Sequence, residues 1–116
     1  KQPVKAHVSD ETVNRAIDGT IYQNTSGRPK MLIITVGLVR ANVISGAVSV
    51  VLYCEAATPP TNLCSKVELC TMDNTPEMIC LNLIYIVPNN YYYKAATTAD
   101  GAGSSGSMIE WHEVEL

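Results

Sequence analysis

Glu113 and Glu115 stand two residues apart in MIEWHEVEL, a spacing that puts both carboxylates on one face of a strand. A close pair of acids is the equipment of glycoside hydrolysis, in which one carboxyl is protonated and the other ionised. That chemistry needs an apolar pocket to raise one pKa and a cleft for the sugar. So near the last residue, the two acids read instead as a solvated strand edge. Neither His7 nor His112 has an evident partner, and no Ser or Cys sits in a nucleophile motif. The sequence is read as that of a non-enzyme, with no catalytic residue and no cofactor.

Cys54, Cys64, Cys70 and Cys80 form no C-x-x-C pair, and the histidines lie far from them in the chain. No zinc or other metal site is expected. An even count permits disulfides in any of three connectivities. Three of the four fall inside apparent strands, however, where a free cysteine behaves as a small hydrophobe. Reduced, buried thiols and folding in a reducing cytosol are the expectation. GAGSSG, Gly101 to Gly106, spells the dinucleotide fingerprint but lacks the preceding strand and the following helix that the fingerprint requires. It reads as a hairpin loop. Asn24-Thr25-Ser26 is a formal glycosylation sequon and reads as turn chemistry.

NNYYYK offers the most suggestive surface. Tyr91, Tyr92 and Tyr93 cannot all point inward from one strand, so one or two must face out. With Asn89 and Asn90 they form a candidate ligand-binding group, since exposed tyrosine stacks on sugar rings and contacts partners at low entropic cost. Cross-strand packing or a subunit seam would use the same residues.

The elements that must hold these groups are strands. Phenylalanine is absent, so Val and Ile fill the interior, and their stiff χ1 suits a pleated sheet. GTIYQNTSGRP gives a short strand at TIYQ, a tight turn, and Pro29 at the mouth of the next strand, where its missing N–H does no harm. MLIITVGLV, AVSVVLYC and ICLNLIYIV then run apolar on both faces. Met31, Ile33 and Gly37 oppose Leu32, Ile34, Val36 and Leu38; Cys80, Ile84 and Ile86 oppose Ile79, Leu81, Leu83 and Tyr85. A sandwich strand normally keeps one wet face. The surplus must be covered by a partner or by the chain's own arm and loops, and subunit contact is the favoured reading.

Turn signals recur between the strands, so the expected fold is an all-β antiparallel sandwich of about seven strands, jelly-roll or immunoglobulin-like. Residues 1–18 form a lead-in arm, in which SDETVNRAID allows one or two helical turns after Ser9 or simply an ordered approach. Residues 19–116 form the sandwich. The chain begins at Lys1 without a signal-type segment, as a fragment or a processed product would. A net charge of -3, with its eight Lys and Arg scattered, argues against nucleic acid. No apolar run is long enough to insert in a membrane.

Three segments together resemble the C-terminal receptor-binding head of bacteriophage tail fibres. Thr20, Tyr22, Asn24, Thr25, Ser26, Gly27, Arg28 and Pro29 match a T-x-Y-x-N-T-[ST]-G-[RK]-P stretch ahead of an apolar strand. Val87, Pro88 and Tyr92 match a strand, a Val-Pro turn and a tyrosine-bearing strand, although PNN replaces the usual glycine-bearing turn. Ile109, Trp111 and Leu116 match the closing segment, with two extra residues after the tryptophan. The resemblance implies a homotrimeric knob at the fibre tip of a virion, adhering to a bacterial surface glycan or outer-surface protein. A structural trimerisation or decoration module, and a carbohydrate-binding module of a depolymerase, are the alternatives. Gly27 and Pro29 would shape a turn and Trp111 would plug the sandwich. Receptor contacts would fall on loops such as Arg40–Gly46, Ala56–Asn62 or Asp73–Glu77.

Overall fold

The computed structural model describes residues 7–40, 46–71, 77–99 and 104–116. They form eight strands: β1 (His7–Asp10), β2 (Tyr22–Gln23), β3 (Lys30–Arg40), β4 (Gly46–Glu55), β5 (Leu63–Thr71), β6 (Glu77–Val87), β7 (Tyr92–Ala99) and β8 (Ser105–Glu115). Sheet A runs β1-β8-β3-β6 and sheet B runs β2-β7-β4-β5, with every pairing antiparallel. The expected all-β sandwich is the observed architecture.

The alternation in β3 and β4 builds the core. Leu32, Ile34, Val36 and Leu38 of sheet A and Val48, Val50, Leu52 and Cys54 of sheet B are buried, facing one another with Leu83, Tyr93 and Trp111. Trp111 is fully enclosed, edge-on to Tyr22 at 5.9 Å between ring centroids, and so plugs the sandwich as expected. The two sheets come close where Gly106 opens β8: a Cβ there would meet Thr97 Cγ2 at 2.7 Å. GAGSSG therefore runs into a strand, and its first three residues, 101–103, lie outside the described residues.

The arm differs from the helical expectation. Ser9 and Asp10 extend against Glu113 and His112 of β8, and only a turn follows, closed by Asn14 N–H donating to Glu11 O at 2.9 Å. The Ser9 hydroxyl donates to the Glu11 carboxylate instead of capping a helix. A ladder on an existing sheet outcompetes a helix too short to repay its own nucleation. The lead-in continues along sheet B, where Asp18 bridges Ala96 and Gly19 N–H donates to Ala95 O at 2.9 Å.

The antiparallel order sends the connections to two opposite ends. Residues 24–29, 56–62 and 88–91 gather at one end. Arg40, Glu77, Ala99 and Ser105 mark the other, and the segments leaving there, 41–45, 72–76 and 100–103, lie outside the described residues. Of the loops expected to carry receptor contacts, only Ala56–Asn62 is described throughout.

Candidate functional site

The end bearing residues 24–29, 56–62 and 88–91 is held by side chains that substitute for backbone partners. Asn24 is fully buried. Its amide NH2 donates to Arg28 O at 2.8 Å, Val87 O at 3.1 Å and Pro88 O at 3.3 Å, while its Oδ1 accepts from Ser26 N and Oγ. Its backbone N–H donates to Tyr91 O and its carbonyl accepts from Asn90 N, at 2.9 and 2.6 Å. One asparagine thus satisfies carbonyls from two turns that are distant in sequence. A glycan cannot reach this nitrogen, so the sequon is turn chemistry, as read. Gly27, at φ 85°, takes the left-handed conformation this turn requires, and its N–H donates to Asn89 Oδ1 at 2.9 Å. Leu116 N–H donates to Pro29 O at 2.9 Å, tying the end of the chain to the same place. Glu55 accepts from Thr61 N at 2.6 Å and Asn62 N at 3.0 Å, which orders the third loop and holds its own pKa down.

The five candidate ligand residues divide by environment. Tyr92 leaves the outer side of sheet B half-exposed, and Tyr91 packs partly on the core. Asn90 is exposed at φ 68° and its carbonyl accepts from Gln23 Nε2 at 3.0 Å; Asn89 serves the Gly27 turn. Tyr93 is fully buried, so Tyr91 and Tyr92 alone among the tyrosine triplet present surface. The end therefore offers an aromatic ring, amides and the exposed Arg28 on a braced frame. Such a surface can stack on a sugar ring and hydrogen-bond its hydroxyls.

Glu113 corrects the reading of a solvated acidic edge. It shares a strand face with Glu115, but it is 1% exposed and every oxygen is occupied. Tyr93 Oη donates to Oε2 at 2.8 Å, Trp111 Nε1 at 3.0 Å and Arg15 Nε at 3.1 Å. Lys30 Nζ donates to Oε1 at 3.1 Å and Arg15 Nη2 reaches it at 3.4 Å. Burial pushes the Glu113 pKa up, yet the hydrogen bonds from Arg15, Tyr93 and Lys30 outweigh burial and hold it below the ordinary value. A general acid needs the opposite shift. Desolvation, then the neighbouring Glu113 charge, pushes the Tyr93 hydroxyl up, so it stays a donor. This cluster locks the arm, through Arg15, onto both sheets. Sequence reading missed it because its members come from four separate segments; the one local signal is an acid placed on the inward face beside Trp111.

All four cysteines are unpaired. The expected burial holds for Cys54, whose thiol is pushed up to about 12 by desolvation and its Cys64 neighbour. Cys64 is half-buried and its Sγ lies 3.5 Å from Cys54 O. Cys70 and Cys80 are exposed, because each sits on the outward side of an edge strand. Among the described residues, no three His, Cys, Asp or Glu are placed to share a metal ion.

A groove of about 550 Å³ runs between the arm and the sheets, lined by Arg15, Ile17, Asp18, Thr97, Gly106 and Met108 among others. It is shallow, and its polar side chains are engaged within the fold, Arg15 with Glu113, Asp18 with Thr20 and Thr97 with the Ile17 carbonyl. The chain matches no protein-family model and no curated protein.

Proposed function

We propose that this chain is a non-enzymatic adhesion module, the receptor-binding head of a phage-type tail fibre. In this reading it works as a homotrimer and holds a bacterial surface glycan at the end where Tyr92, Asn90 and Arg28 are presented. The observation that carries the reading is a convergence. The three segments that resemble the fibre-head family are scattered over the chain, yet Asn24, Gly27, Pro29, Val87, Pro88 and Leu116 meet at one end through direct hydrogen bonds. The antiparallel order brings these segments to one end, and the hydrogen bonds that join them there support the reading. The node braces a frame, and the exposed groups beside it are free of packing duty.

Glycan titration of the purified chain against bacterial surface polysaccharides tests the proposal. Tyr92→Ala should lower affinity at least tenfold with an unchanged melt, and an unaltered affinity would refute the assigned end. A second reading, a structural trimerisation or decoration module, draws on the uncovered apolar side of sheet A. It predicts association without any glycan binding. A catalytic depolymerase role would ask Glu113 to act as an acid, which its lowered pKa opposes.

A further inference from the structure

Strand β5 carries an irregularity that lays one sulfur against the backbone of another cysteine. Leu52 of β4 pairs with Ser65 and Tyr53 pairs with Leu63, so the ladder skips Cys64. A bulge of this kind re-aims the side chain it inserts. Strict alternation would send Cys64 outward, beside Lys66 on the outer side of sheet B. Instead Cys64 packs on the core, on the same side of the sheet as Cys54. Cys54 N–H donates to Asn62 O at 3.0 Å, which pins the two strands here. The Cys64 Sγ lies 3.5 Å from Cys54 O and 3.4 Å from Asn62 O. Desolvation first, and then Cys64, push the Cys54 thiol up, so the two thiols are electrostatic neighbours as well.

Access gives the two sulfurs different roles. Cys54 is 3% exposed, whereas Cys64 is half-buried on the edge strand of sheet B. Cys70 lies on the outer side of sheet B and Cys80 on the outer side of sheet A, so neither reaches this pair in the folded chain. We infer that Cys54 and Cys64 are a redox modification site, a dithiol that a low-molecular-weight disulfide of the glutathione class converts to a cross-strand disulfide. Cys64, as its thiolate, attacks one sulfur of the external disulfide, whose S–S bond breaks and releases a thiolate that takes up a proton. Cys54, closed to the external reagent, meets only the sulfur of Cys64. It gives its proton to solvent and attacks Cys64 Sγ, breaking the mixed disulfide and releasing the second small thiol. Two protein thiols lose two electrons, and one external disulfide is reduced to two thiols. The new bond closes a ring around residues 56–62, the loop that Glu55 already orders, and so removes chain freedom from the unfolded state. In a reducing compartment the pair stays open; it closes where disulfides prevail. The inference goes beyond the adhesion reading and does not rest on it.

Peptide mapping of the full chain tests it. The native protein is held with oxidised glutathione, quenched in acid and alkylated before digestion. The expected product joins the Cys54 and Cys64 peptides with the loss of two hydrogens, and dithiothreitol restores both thiols. Cys54→Ser should stop at a glutathione adduct on Cys64, and Cys64→Ser should leave Cys54 a free thiol. Should either variant fail to fold, the map of the unaltered chain decides alone. A lasting glutathione adduct on Cys64 beside a reduced Cys54 would overturn the inference. So would a link from either residue to Cys70 or Cys80, or two thiols left untouched. Melting of a chain carrying Cys70→Ser and Cys80→Ser, in which only the pair remains, reads the effect on the loop. Oxidation should raise its Tm by at least about 5 °C, and an unchanged melt would refute the closure of the ring.

Discussion

The Glu113 carboxylate and the Arg15 guanidinium meet at 3.1 Å across ninety-eight residues of chain, both largely removed from solvent. This contact fastens the arm to the sandwich and makes Glu113 a structural centre. Glu113→Gln removes the charge that Arg15 and Lys30 face and sets an amide against the Trp111 and Tyr93 donors. Breaking a buried pair from one side costs about 3–5 kcal/mol, and urea denaturation should show a loss in that range.

The same group sets the response to acid. The Glu113 pKa is lower in the folded chain than its ordinary 4.5, so its contribution is complete above the unfolded value and is lost as pH falls through the folded one. Stability should be flat above about pH 5 and drop below it. Asp10, Asp18 and Glu55, also lowered by local hydrogen bonds, add to the slope in the same direction. The Glu113→Gln variant should show a shallower acid limb in urea midpoints measured from pH 6 downward.

Asn24→Ala should cost about 2–3 kcal/mol, because it strands buried carbonyls that the amide now satisfies. The loss should be accompanied by faster amide exchange at Asn90 and Gly27, whose N–H groups belong to the same node. Normal stability in Asn24→Ala would mean that the two turns hold themselves.

Neighbouring tyrosines should separate cleanly. Tyr93→Phe deletes the hydroxyl that donates to Glu113 and should lower stability by about 1.5–3 kcal/mol, the range for a bond to a charged group. Tyr92→Ala should leave the denaturation midpoint nearly unchanged and act on binding. Calorimetry and titration of both variants check the division.

Thiol titration should count by environment. Cys70 should react with an aromatic disulfide reagent in the native chain, while Cys54, buried and with its thiol pushed up to about 12, should react only after unfolding. Rapid native labelling of Cys54 would contradict the packing around β4.

Much of the fold was legible because it is written in local alternation. The two faces of β3 were legible as Leu32, Ile34, Val36 and Leu38 against Met31, Ile33 and Gly37, both apolar, and Gly27 with Pro29 marks the turn before the strand. Sheet packing decides that the first set is the fully buried one, while Met31 and Ile33 are half-buried. Strand β1 was hidden because Ser9 and Asp10 favour a helix cap locally and become extended only by pairing with β8. The Glu113 cluster was hidden for a related reason: Arg15, Lys30 and Tyr93 reach it through sheet closure, and no spacing in the chain records that. The candidate tyrosines were found by composition, but which of them faces outward follows from the register of β7 on β4.

Adsorption to cells tests the adhesion account most directly. The unaltered protein, fluorescently labelled and offered to a panel of bacteria, should bind particular strains. Periodate oxidation of the cell-surface sugars, or Tyr92→Ala in the protein, should abolish that binding. Adsorption to none of the strains, or adsorption indifferent to both treatments, would contradict it.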